Sequence, residues 1–81
     1  MPSDKLQLLL GWAVAELRKI DIESPQLDAR LLLQHATGLS HEDLIIDPDR
    51  GISPAAAASF RAMDARRLAF EPVSRILGER E

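Results

Sequence analysis

The sequence contains no cysteine and no tyrosine, and its 81 residues include only two histidines, one tryptophan and two phenylalanines. Without cysteine, neither a disulfide framework nor a thiolate metal site can brace the chain. The two histidines fall in no zinc-binding spacing, so no metal site is expected. An excess of base is also missing. Ten Lys and Arg stand against 13 Asp and Glu, a net charge of −3. That balance speaks against a surface that tracks nucleic-acid phosphates and leaves no nucleic-acid partner. The longest apolar run, "LQLLLGWAVAEL", is broken by Gln7 and Gly11 and falls short of the ~20 residues that a membrane helix needs. The opening "MPSDKLQLLLGWAVA" lacks the basic lead of a secretory signal. These absences together read as a cytoplasmic, soluble chain. No glycine-rich loop follows a strand, so the four glycines punctuate rather than cradle a nucleotide.

What is present is helical pattern. A chain of 81 residues, 46% hydrophobic, forms one small domain that buries about 60–65% of its unfolded surface. The first helix should start at Ser3 or Asp4, either able to cap a first turn. Leu6, Leu9, Leu10, Ala13, Leu17 and Ile20 fall at helical spacing on one side. Leu8, Trp12 and Ala15 fall near the opposite side, as in a helix packed between neighbours, and the helix should run to Asp21-Ile22-Glu23. Ser24-Pro25 opens a second helix whose stripe is Ala29, Leu32, Leu33 and Ala36, widened by Leu27 and Leu31 and stopped by Gly38. Ser40 and Asp43 suggest a capping box for a short third helix, ended by the turn formers Asp47 to Gly51. Ser53-Pro54 starts a long fourth helix with Ala56, Phe60, Met63 and Phe70 on one stripe. Pro72 starts a final turn through Val73, Ile76 and Leu77 that Gly78 ends. No β-branched alternation appears. The fold expected is all-α, a small bundle of about five helices over residues 1–78 without a sheet.

Three groups of side chains invite a functional reading. Leu8 and Trp12, one turn apart beside Lys5, Glu16 and Lys19, suit a docking patch for a partner; they also suit a helix buried on two sides with tryptophan in a satellite cluster, the reading that the usual burial of tryptophan favours. Asp28 and His35 share a face of the second helix, but without a nucleophile they support no catalytic assignment. Arg66 and Arg67, with Arg61 and Arg75, form a small basic cluster. It reads either as a fork for a partner's carboxylates or as a locally paired face neutralised by Asp64 and Glu71, with Arg67 laying its stem over the core and turning its guanidinium outward. The rhythm from Leu32 to Ile46 has the outline of a helix–turn–helix, yet its second helix opens on His41-Glu42-Asp43, which repels phosphate.

"SPQLDARLLLQHATGLS" followed by "ARRLAFEPVSRILGERE" resembles the N-terminal domain of the release factor glutamine methyltransferases, the HemK/PrmC family. The matching positions are Ser24, Pro25, Asp28, Ala29, Leu32, Leu33, His35, Thr37 and Gly38, then Arg66, Arg67, Glu71, Pro72, Ile76, Leu77, Gly78, Arg80 and Glu81. Phe70 departs from the small or polar residue expected before Glu-Pro. The resemblance covers essentially the whole chain. It implies a five-helix domain that helps seat a peptide-chain release factor, so that its Gly-Gly-Gln glutamine reaches a separate catalytic domain. That domain would carry the S-adenosylmethionine site and an Asn-Pro-Pro-Tyr motif, neither of which lies in these residues. No catalytic, cofactor-binding or metal residue is therefore carried over. The resemblance also implies that residues 79–81 begin a linker to that methyltransferase domain. The contact candidates are Leu8, Trp12, Arg66 and Arg67. Residue chemistry alone leaves open a stand-alone helical adaptor for another protein.

Overall fold

The computed structural model describes residues 5–78. They form α1 (Leu6–Arg18), α2 (Pro25–Thr37), α3 (His41–Ile46), α4 (Pro54–Leu68) and α5 (Val73–Ile76). No strand occurs among the described residues; one isolated antiparallel bridge joins Lys5 to Gly51.

The helices begin for different reasons. The caps expected at Ser3 or Asp4 lie outside the described residues. Lys5 stands at the α1 N-cap and makes no side-chain cap. The free amides of α1 are met instead by the turn between α3 and α4. Leu6 N–H donates to the Arg50 carbonyl at 2.8 Å and Gln7 N–H to that of Pro48 at 2.9 Å. The Gln7 side-chain amide adds a bond to Asp49 Oδ1 at 2.8 Å. A turn far away in sequence thus supplies what a capping side chain would. The helix stops at Arg18, earlier than its apolar pattern suggests, and Asp21 turns the chain with φ at 59°.

Proline occupies the first turn of α2, but the hydroxyl of Ser24 makes no capping bond, unlike the expectation for that pair. At the other end Gly38 takes φ 77° and its N–H reaches the Gln34 carbonyl at 2.7 Å. That is the left-handed stop for which glycine has no steric cost. The α3 capping box forms in both directions: Asp43 N–H to Ser40 Oγ at 3.1 Å and Ser40 N–H to the Asp43 carboxylate at 3.0 Å. These bonds hold the Asp43 carboxyl below its ordinary range. Ser53 Oγ likewise accepts from Ala56 N–H at 3.1 Å and starts α4.

The core lies where α1, α2 and α4 meet, with α5 resting on α4. From α1 it takes Leu6, Leu9, Ala13 and Leu17; from α2, Ala29, Leu32 and Leu33; from α4, Ala57 and Phe60. Leu44, Ile52 and Ile76 close its margins. Two stripes differ from the sequence pattern. Leu27 of α2 is exposed. On α4 the buried line is Ala57, Phe60 and Asp64, while Phe70 lies beyond the helix and 65% exposed. The cause is the end of α4 at Leu68: once the chain leaves the helix, a register counted onward from Phe60 no longer points to the core.

Candidate functional site

Two surfaces come forward from this arrangement. The first is the outer face of α1. Leu6, Leu9, Ala13 and Leu17 use one side of the helix for the core. Leu8 and Trp12, four residues apart and so stacked along the axis, stand 48% and 36% exposed. Neither joins the buried cluster, so the two-sided burial expected of α1 is incomplete at these positions. Among the described residues Trp12 is not one of the hydrophobics packed against the core cluster. Charge frames the patch: Lys5 is exposed at one end, and Lys19 Nζ pairs with Glu16 at 3.3 Å at the other. An aromatic and a leucine with this exposure and a polar frame have the anatomy of a protein-contact patch.

The second surface is the corner where α4 turns into α5. Here the polypeptide spends its own charges. Arg66 donates in parallel to both carboxylate oxygens of Glu71, through Nε at 2.9 Å and through its second terminal nitrogen. This fork holds the Glu71 carboxyl below its ordinary range and raises the Arg66 guanidinium. Arg67 does not turn its guanidinium outward as expected. Its Nε donates to Asp28 Oδ2 on α2 at 3.0 Å, and Nη1 donates to the Glu71 carbonyl at 3.2 Å. Both side chains of the Arg67–Asp28 pair are largely shielded, at 19% and 14% exposure. Between these bonds Phe70 is held with φ at 67°, a left-handed conformation costly for a bulky side chain. Position 70 is thus where a glycine would fit best, which gives a physical reason for the small residue expected there.

Of the neutralising partners proposed for the cluster, Glu71 serves and Asp64 does not. Asp28 is the one that sequence reasoning missed. It lies 39 residues from Arg67, and no local spacing signals the pair. The same bond separates Asp28 in role from His35, which is exposed near the end of α2. Arg75 is exposed and acts on Glu71 from α5. Among the described residues no group of three or more His, Cys, Asp or Glu is placed to hold a metal ion. Nor is any helix of these residues long and apolar enough to cross a membrane. A shallow depression between the end of α2 and the start of α4, lined by Thr37, Leu39, Arg50, Ile52 and Ala56, is open to solvent.

The chain matches the family described as PrmC N-terminal domain over residues 9–78. A release factor glutamine methyltransferase of Rhodospirillum rubrum is 43% identical over 72 residues, 89% of this chain and 22% of that protein. A bifunctional methyltransferase of Rickettsia conorii is 41% identical over 76 residues, 94% of this chain and 14% of its own length. A release factor glutamine methyltransferase of Nitratidesulfovibrio vulgaris is 37% identical over 76 residues, again 94% of this chain and 26% of that protein. The chain therefore spans roughly a quarter or less of these relatives. No solved structure matches it.

Proposed function

This chain belongs to the PrmC N-terminal domain family, and we propose that its helices are the docking domain of an S-adenosylmethionine-dependent protein-glutamine methyltransferase. The proposed client is a peptide-chain release factor, and the reaction is methyl transfer to the amide nitrogen of a glutamine. Cofactor and chemistry belong to a catalytic domain outside these residues, and the compartment that fits is the cytoplasm. The similarity to release factor glutamine methyltransferases supports the reaction class. The observation that carries the docking role is the exposure of Leu8 and Trp12 on one face of α1, a helix whose other side is committed to the core.

A protein substrate must be held so that one glutamine side chain is presented to the methyl donor. Contacts remote from the reacting atoms contribute by fixing that orientation before the chemical step. Trp12 supplies a large contact area at low entropic cost, and Leu8 extends it by one turn. Arg66, whose side chain keeps 47% exposure, is the candidate for meeting carboxylates on the client. Arg67 acts by fixing α4 to α2. In the full-length enzyme, Leu8→Ala/Trp12→Ala should raise KM for an intact release factor at least tenfold. The kcat for a short Gly-Gly-Gln peptide, which is too small to reach α1, should stay unchanged. An unaltered KM for the intact factor would remove the docking role.

A further inference from the structure

Asp64 follows Phe60 by one turn on α4, and both side chains are fully buried. At the place where the helical repeat calls for another apolar side chain, the chain sets a carboxyl. Among the described residues neither Oδ1 nor Oδ2 of Asp64 has a hydrogen-bond partner. An ionised carboxylate so placed has lost its water and gained no donor. The charges around it do not compensate. Glu16, on α1, acts on Asp64 with like sign. On α2, Asp28 is bonded to Arg67; on α5, Arg75 acts on Glu71. Arg61 and Arg67 lie one turn to either side of Asp64 on α4, and neither gives it a hydrogen bond.

We propose that Asp64 is a proton-operated latch in the seam between α1 and α4, closed when its carboxyl is neutral and loosened when the proton leaves. Burial, and then the neighbouring charge of Glu16, push this carboxyl up to about 6. An aspartate in the unfolded chain gives up its proton near pH 4. The folded state therefore binds the proton more tightly, and its stability is greatest below about pH 4. Stability then declines through about pH 6 and stays at the lower level above that. Glu16, the like charge that acts on Asp64, lies on α1, the helix that carries Leu8 and Trp12. The latch stands on the burial of Asp64 alone and does not depend on what α1 docks.

Urea unfolding of the chain between pH 4 and pH 7, followed by the emission of its single tryptophan, Trp12, tests the latch against Asp64→Asn. The unfolding constant of the unsubstituted chain should rise on the order of a hundredfold more across that range than that of the variant. Parallel pH profiles would overturn the proposal. A carbon-detected NMR titration of the Asp64 carboxyl in the unsubstituted chain gives the same decision if the variant folds poorly. A midpoint near 6 sustains the latch, and a midpoint at or below the ordinary aspartate value rejects it.

Discussion

The outer face of α1 and the corner between α4 and α5 were both marked by sequence pattern, yet the fold treats them in opposite ways. At the corner, long charged side chains reach across to partners inside the chain: Arg66 to Glu71, Arg67 to Asp28. On α1, the side chains opposite the core have no such reach, and Leu8 and Trp12 stay partly exposed. A guanidinium on a flexible stem finds an internal carboxylate, whereas an apolar group on the far side of a helix can be covered only by another body. Unspent apolar surface is therefore the better pointer to a partner in this domain. Of the arginine cluster, Arg66 and Arg67 are bound within the chain.

The two sides of α1 give the largest effect with which to break that contrast. Leu17→Ala should cost about 2–5 kcal/mol in urea unfolding, because it opens a cavity in a fully buried site. Trp12→Ala should cost less than about 1 kcal/mol, as a surface change does. Equal losses would mean that Trp12 belongs to the core after all.

The shielded half of the corner comes next. Asp28→Ala leaves the Arg67 guanidinium without its carboxylate, and the unfolding free energy should fall by about 1–3 kcal/mol. Arg66→Ala should have a smaller effect that shrinks as salt is added, because its fork to Glu71 is exposed to solvent screening. The reverse order would show that the exposed fork, not the link to α2, holds the corner.

Phe70→Gly should stabilise the domain by up to about 1 kcal/mol, since glycine accepts the left-handed φ of 67° without strain. A loss of stability would show that the exposed ring contributes packing that outweighs the backbone cost.

The smallest effect is that of acid. Glu71 and Asp43 are held below their ordinary carboxyl values by Arg66 and by Ser40. Their folded-state values are depressed, so their contributions are complete above the unfolded-state values near pH 4 and vanish as pH falls below them. In Asp64→Asn, where the opposing trend is removed, unfolding midpoints should fall only at the acid end of the range. Glu71→Gln should flatten part of that decline.

Much of this architecture could be read in the chain because its signals are local. Gly38 as a stop, Ser40 with Asp43 as a reciprocal cap, and Ser53 before Pro54 each act within a few residues. The alternation of Leu6, Leu9, Ala13 and Leu17 located one side of α1 in the core for the same reason. What escaped depends on distance in sequence or on the backbone after a helix ends. The α1 amides are capped by Pro48 and Arg50, and Arg67 is bound by Asp28; both partners are brought close only by the tertiary fold. Phe70 fell off its stripe because α4 stops two residues earlier. Asp64 escaped because a charged residue inside an alanine-rich helix reads as solvated, and only the packed structure shows it buried. The patch itself was half legible. Spacing placed Leu8 and Trp12 together, but only the packed structure shows them at the surface.

The most direct measurement is calorimetric titration of a purified release factor into this 81-residue chain and into its Leu8→Ala/Trp12→Ala variant. The account predicts measurable binding to the unsubstituted chain and at least a tenfold loss for the variant, with urea midpoints nearly equal. Equal affinity for the two, or no binding to either, would contradict it.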